Sequence, residues 1–113
     1  MSADSRAEQL KALVTGSQRM LELAESGDWE GVARLHELRQ QLAEAYFATP
    51  AGSHEVAAIE TAIRQILASD TKIAALGREQ RDRCQDELKE FNRRRHAARQ
   101  YSANQAPRAE SGR

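Results

Sequence analysis

A single helical pattern of hydrophobic and polar residues dominates the second half of the chain. Between Ser53 and Gln100 there is no proline and only one glycine. A row of positions recurs there at steps of three or four residues: Val56, Ile59, Ile63, Ile66, Asp70, Ile73, Gly77, Gln80, Cys84, Leu88 and Phe91. Such steps place side chains on one face of a helix. The pattern therefore predicts one long helix, about 70 Å in length at the usual rise per residue.

Two shorter helices are predicted before it. The first runs to about Ser26, and the second spans roughly Trp29 to Phe47. Gly27 suits the left-handed residue that ends a helix, and Asp28 is a favoured cap for the next one. So short a connection makes the two helices antiparallel neighbours. The apolar face of the first helix consists of Leu10, Leu13, Val14, Ser17, Met20, Leu21 and Ala24, and that of the second of Trp29, Val32, Leu35, Leu38, Leu42, Tyr46 and Phe47.

These elements predict an all-α fold, an antiparallel bundle of three helices with a long third helix. An alternative with four helices places a break near residues 69–72, where Ser69, Asp70 and Thr71 are all cap-type residues. The row keeps its phase across this site, and no glycine or proline stands there. We expect residues 1–101 to form one helical domain. Residues 102–113 have no apolar period and are expected to form a disordered basic tail.

The long helix is expected to expose apolar surface. Helices of about 20 residues span about 30 Å, so the first two can cover only about half of the third. After Leu76 its apolar residues are sparse: Cys84, Leu88, Phe91, Ala97 and Ala98. A thin apolar stripe on a lone helix is not stable without packing. It needs a second copy of the chain, the chain's own tail or a client protein, and the sequence therefore predicts a protein that binds something helical.

Charged residues are also unevenly distributed along the chain. The formal net charge of the 113 residues is zero. Residues 1–88 hold 10 Lys and Arg against 15 Asp and Glu, a net −5, whereas residues 89–113 hold 7 against 2, a net +5. The basic excess includes Arg93, Arg94, Arg95 and Arg99. We interpret it as a basic patch for an acidic partner surface or as a solvated helix end, and the neutral total does not favour nucleic acid binding.

The sequence carries no recognisable catalytic or metal chemistry. It has one cysteine, Cys84, and three histidines, His36, His54 and His96, without ligand spacing. There is no phosphate-binding loop and no nucleophile–base arrangement. We expect no enzyme activity and no cofactor. The N-terminus lacks the features of a signal peptide and no apolar run could span a membrane, so a cytoplasmic location is expected.

One stretch resembles a known family. The segment SQRMLELAESGDWE, residues 17–30, is similar to the start of the FliT family of flagellar export chaperones, in which a leucine-rich turn meets a G-[DE]-W junction opening helix two. Residues 66–70 (ILASD) and 83–88 (RCQDEL) are similar to the long third helix of that family. Tyr101 stands where the family often has an Ala-Tyr pair, although Gln100 precedes it here. The resemblance covers most of residues 10–101.

The resemblance implies a small helical cytoplasmic chaperone. Family members bind the C-terminal region of the filament-cap protein before export and deliver it to the export apparatus. Some also bind the export ATPase complex or restrain the master transcription regulator of flagellar genes. In this chain the client is expected to contact apolar residues of helices two and three, namely Leu35, Leu38, Leu42, Tyr46, Ile63, Ile66 and Ile73. The alternative is a self-associating coiled-coil structural or regulatory module, for which a homodimer is expected.

Overall fold

The computed structural model describes the backbone of residues 3–111 and the side chains of residues 5–104. It contains three helices, α1 (Ala3–Glu25), α2 (Trp29–Phe47) and α3 (Val56–Ser111), and a 3-10 turn at Ser53–Glu55 leads into α3. The described part contains no strand. The predicted all-α fold with three helices and a long third helix is confirmed. Because α3 is continuous through residues 69–72, the alternative with a fourth helix is wrong.

The turn between α1 and α2 is formed by local hydrogen bonds. Gly27 has φ 81°, the left-handed conformation that glycine adopts without a steric penalty. The N–H of Asp28 donates to the carbonyl of Leu23 (2.8 Å) and that of Gly27 to the carbonyl of Ala24 (3.1 Å), which satisfies the free carbonyls at the end of α1. Asp28 then accepts the N–H of Gly31 at 2.9 Å and caps α2. Both roles predicted for this junction are confirmed.

The chain divides into two compact units, one ending at Gly77 and one beginning at Arg78. The first unit holds α1, α2 and the first part of α3. Its core consists of two clusters. One cluster contains Leu10, Leu13, Tyr46, Ile59 and Ala62, with Val14, Ala43 and Ile66 packed against it. The other contains Met20, Ala24 and Val32, with Leu23, Trp29, Leu35, Ile73 and Leu76 packed against it.

The buried face of α3 is rotated from the predicted row. Ala62 and Ser69 are buried, whereas Ile63 is exposed and Asp70 is half-buried. The pattern of hydrophobicity predicted that Ile63 is buried, because isoleucine is a large apolar residue. The structure places small residues at these positions, where a small side chain allows neighbouring helices to approach closely. The packed row on α3 is therefore Ile59, Ala62, Ile66, Ser69, Ile73 and Leu76.

A buried polar cluster joins the start of α1, the end of α2 and the start of α3. The Arg6 guanidinium donates to the Tyr46 carbonyl (2.7 Å) and to Glu55 Oε2 (2.8 Å), and it stacks 3.9 Å above the Tyr46 ring. The Tyr46 O–H donates to the same carboxylate at 3.3 Å. The hydrogen bond from Arg6 holds the pKa of Glu55 below its usual range. Burial raises the pKa of the Tyr46 phenol, which therefore stays protonated as a donor.

The second unit is a helix with little internal cover. From Arg81 to Asn104 every side chain is exposed except the half-buried Glu90. These residues include Leu88, Phe91 and Cys84, which belong to the apolar stripe that the sequence predicted to lie beyond the cover of the first two helices. The helix continues through residues 102–111, where the composition predicted a disordered tail. The last two residues of that predicted tail lie outside the described part of the chain.

Substitutions on neighbouring faces of α3 test the packed row. Ala62→Leu should lower the free energy of unfolding by about 1–3 kcal/mol, because extra methylenes in a packed site force side chains or backbone to move. Ala68→Leu, on the exposed side of the same helix, is the matched control and should stay within about 0.5 kcal/mol. Urea unfolding followed by circular dichroism measures both. Equal effects of the two substitutions would contradict the packed row.

The Arg6–Glu55 pair predicts an acid-dependent stability. The pKa of Glu55 is depressed in the folded state, so its contribution is present above the unfolded pKa of about 4.3 and is lost as pH falls through the folded pKa. Wild type should therefore be more stable than Glu55→Gln at pH 7, and the difference should shrink below about pH 4.3. Urea unfolding at a series of pH values measures it. The exposed Glu60→Gln is the control, and a wild-type advantage that persisted unchanged into strong acid would contradict this account.

Candidate protein-binding groove

An open hollow lies between α2 and α3 in the first unit. It has a volume of about 500 Å³ and is lined on the α2 side by Trp29, Val32, Ala33, His36 and Arg39, and on the α3 side by Asp70, Ile73 and Ala74, with Met20 of α1 at its base. Most of these side chains are apolar, and its charged groups are Arg39 and Asp70. An apolar floor with a few placed polar groups is the usual composition of a binding site.

Exposed apolar residues extend the hollow along α3. Ile63 and Leu67 precede Asp70 and Ala74 by seven residues each, so all four lie on the same side of the helix. Because Asp70 contacts Arg39 of α2, this side of α3 borders α2. Ile63 is 43% exposed and Leu67 58% exposed, which is unusual for neighbouring large apolar side chains on one face.

The α2 wall extends in the same direction. Phe47 follows His36 by three helical turns and lies on the same side of α2. It is 51% exposed, and its ring meets that of Tyr46 edge-on, with centroids 5.0 Å apart. The helices run antiparallel, since Trp29 lies over Gly77 while Tyr46 contacts Glu55. Phe47 therefore belongs to the same end of the groove as Ile63. We call the hollow together with Phe47, Ile63 and Leu67 the α2–α3 groove.

One ion-pair network fixes the width of the groove. Arg39 donates to both carboxylate oxygens of Asp70, at 2.7 and 3.2 Å, and to the Ser17 hydroxyl of α1 at 2.9 Å. Ser17 is fully buried and donates in turn to the Leu13 carbonyl. The side chain of Arg39 is 15% exposed and that of Asp70 36% exposed. Asp70 is therefore the charge partner of the partly buried Arg39 guanidinium.

The structure does not bring the predicted client-binding residues onto one surface. Leu38 and Leu42 lie about 140–180° around α2 from Ala33, which lines the hollow beside α3. They are exposed, but they face away from the α2–α3 groove and belong to the α1 side of α2. Ile63 and Ile73 lie on the groove. Leu35 and Ile66 are partly buried against the core clusters.

Tyr46 is the predicted site residue least available to a partner. It is 1% exposed, stacked under Arg6 and bonded to Glu55, so it serves the core. A client could not contact it without separating the three helices. Conversely, the sequence-based site omitted Phe47, Leu67 and His36. Phe47 and Leu67 were detectable as large apolar residues beside the predicted rows, but their exposure depends on the rotation of each helix about its axis.

The arginine patch is partly neutralised within its own helix. Arg93 and Arg94 both contact Glu90, at 2.7 and 3.2 Å. The hydrogen bond from Arg93 lowers the pKa of Glu90 below its usual range. Arg95 and Arg99 are exposed on other sides of the helix. The four residues therefore do not form one continuous basic face, and they stay a candidate surface for an acidic partner.

The groove is lined mainly by apolar side chains. Among the side chains that the structure describes, no three His, Cys, Asp or Glu residues come together as a metal site. Over the same residues, no helix has an apolar segment long enough to cross a membrane. Two antiparallel helices with an apolar groove between them define a small helical protein with a candidate binding surface for a peptide or a helix.

The comparison with known families agrees with this class. The family model described as flagellar protein FliT matches residues 7–103. This chain belongs to the FliT family of flagellar export chaperones. No curated protein and no solved structure matches it. The family resemblance inferred from the G-D-W junction and the third helix is thereby confirmed.

The network at Arg39 predicts a coupled loss of stability. Asp70→Asn should lower the free energy of unfolding by about 1–2 kcal/mol, because it leaves a mostly buried guanidinium without its counter-charge. Arg39→Met keeps the apolar stem, and the double variant should cost about 1 kcal/mol less than the two single changes added together. Urea unfolding of the three variants gives the coupling energy.

The exposed pair Arg34–Glu30, 3.5 Å apart, provides the control. Glu30→Gln should change the unfolding free energy by no more than about 0.5 kcal/mol. If Asp70→Asn costs no more than this control, the network does not hold the three helices together.

Proposed function

We propose that this protein binds the C-terminal region of a flagellar filament-cap protein in the cytoplasm and delivers it to the export apparatus. The observation that carries the proposal is the α2–α3 groove, whose rim exposes Phe47, Ile63 and Leu67. Membership of the FliT family supplies the class of client. The role is holding and transfer, and it requires no catalytic group.

The groove suits an amphipathic helix of the client. Helix-in-groove recognition uses apolar side chains at positions i, i+3 or i+4, and i+7 of the bound helix. The exposed Ile63 and Leu67 are separated by one turn, about 6 Å along α3, and the hollow at Ile73 and Ala74 follows two turns further on. Successive anchors of a client helix could therefore occupy successive positions along the groove. Fully burying one large apolar side chain contributes about 1.5–3 kcal/mol before the costs of association.

Asp70 gives the groove one polar feature. Its side chain is 36% exposed even with Arg39 bound, so acceptor capacity remains on the solvent side. We infer that a Lys, Arg or hydroxyl side chain of the client is favoured next to Asp70. Such a contact would favour one direction of the client helix along an otherwise apolar groove, since the reversed helix would place an apolar residue next to Asp70.

Further partners follow from the family. Binding to the export ATPase complex would need a surface other than the one that the client occupies. Arg95 and Arg99 of the second unit are exposed and could contact an acidic surface of that complex. Self-association, the alternative function, is supported by the exposed Leu88 and Phe91 in that unit. These residues and the α2–α3 groove belong to different units.

A peptide titration tests the client and the groove together. The full chain is titrated by calorimetry with the C-terminal peptide of the filament-cap protein encoded in the same genome. Leu67→Glu should weaken binding at least tenfold, which is about 1.4 kcal/mol, since it places a charge on the groove rim. Leu38→Glu is the matched control. It replaces an equally large exposed leucine on the other side of α2 and should change the affinity less than twofold.

Three outcomes contradict the proposal at different points. Failure of wild type to bind at about 100 µM removes the client assignment. Loss of binding in Leu38→Glu but not in Leu67→Glu moves the site to the α1 side of α2. Loss in both variants with unchanged unfolding curves means that the peptide surrounds α2, which the α2–α3 groove does not allow.

A further inference from the structure

One side of the helix in the second unit carries apolar and basic residues and no acidic ones. Positions on this side recur at steps of three or four residues: Arg81, Cys84, Leu88, Phe91, Arg95 and Arg99. All six side chains are exposed, and the two large apolar ones, Leu88 and Phe91, are 58% and 56% exposed. Gln85 and Asn92, which border the row, are uncharged. We call these six residues the basic face.

The acidic residues of this unit lie on the opposite side of the helix. At about 100° per residue, they all fall within a sector of about 140° that points away from Leu88. They are Glu79, Asp82, Asp86, Glu87 and Glu90. On that side Glu90 contacts Arg93 and Arg94, at 2.7 and 3.2 Å. Within the described residues Arg95 and Arg99 contact no carboxylate, so the positive charge of the basic face is left without a counter-charge.

We propose that the basic face docks the second unit on the surface of an anionic lipid bilayer. A helix with Phe and Leu between basic residues lies in the head-group region, where anionic lipids attract its positive charge. Leu88 and Phe91 enter the boundary of the acyl chains, and the long arginine side chains extend to the lipid phosphates. The acidic side faces water, so the charge distribution determines which side of the helix contacts lipid.

The position of Arg95 favours a lipid surface over a packed protein interface. Arg95 follows Leu88 by seven residues and Phe91 by four, so it lies within the apolar row. In a packed interface its guanidinium would be buried and would need a fixed carboxylate. The head-group region supplies phosphates and water instead, so the guanidinium stays solvated while its apolar neighbours are covered. A nucleic acid also supplies phosphates, but phosphate contacts would leave Leu88 and Phe91 uncovered.

Flotation of the full chain with phosphatidylcholine vesicles, with and without about 30% phosphatidylglycerol, tests the docking. Wild type should bind only the anionic vesicles, and more weakly as salt rises from about 50 to 300 mM. Arg95→Gln with Arg99→Gln should raise the lipid concentration for half-maximal binding about tenfold. Arg83→Gln with Arg93→Gln is the matched control. It removes the same charge from the other side of the helix and should change that concentration less than about twofold.

The orientation of the helix is measured with an environment-sensitive fluorophore on Cys84, the only cysteine of the chain. With anionic vesicles its emission should shift to the blue, because Cys84 lies on the basic face. The same label on the double variant Cys84→Ser, Asp86→Cys lies on the acidic side, and its emission should stay as in water. Circular dichroism of each variant verifies that the helix is retained.

Four results would overturn the proposal. They are no binding at about 1 mM anionic lipid, which is weak on the usual affinity scale, equal losses in the two arginine pairs, equal shifts at the two label positions, and retention on DNA or RNA without vesicle binding. The last result would assign the basic face to the phosphates of a nucleic acid. No measurement here uses a client peptide, so failure leaves the proposed client binding untouched.

Discussion

The arrangement of the first unit depends on one partly buried ion pair, between Arg39 and Asp70. Arg39 lies where the three helices meet, and its guanidinium is bonded to Asp70 of α3 and to Ser17 of α1. A guanidinium with so little exposure needs its partners in fixed positions, because an unpaired buried charge costs several kcal/mol. Apolar contacts specify the register of two helices less sharply than charged hydrogen bonds do, because the hydrophobic effect is non-directional. The bidentate contact between Arg39 and Asp70 is directional, so it helps to set the register of α2 against α3.

The same contact determines what a partner protein can reach. It lies beside the hollow between α2 and α3, with Ile63 and Leu67 on one side of it and Ile73 and Ala74 on the other. The packed row of α3 uses Ala62 and Ser69, and this choice turns the larger Ile63 outward. An exposed apolar surface therefore arises because small residues of α3 fill the core, which leaves the larger Ile63 and Leu67 at the rim. The FliT family, whose members act by holding other proteins, provides a reason for such a surface.

The two units expose two kinds of surface. The groove of the first unit is mostly apolar, so a ligand there would be held by burying side chains and selected by the single carboxylate of Asp70. Residues 79–101 of the second unit include few apolar residues and many charges, so charge would set the orientation of a partner there.

The sequence by itself determined the elements: the bounds of α2, the Gly27–Asp28 turn, the all-α class and the presence of a long third helix. These depend on local hydrogen bonding and on the periodicity of apolar residues, which are readable without tertiary contacts. It also predicted most of the buried face of α1. Only the tertiary structure decided which side of α2 and of α3 is buried. It places Tyr46 in the core and turns Leu38 and Leu42 away from Ile73. It also makes Asp70 an ion-pair partner. The physical reason is that core and binding surface are built from the same apolar residues. Which of these residues are buried depends on how each helix is rotated about its axis. That rotation is fixed by the small residues at the helix contacts and by the ion pair of Arg39 with Asp70.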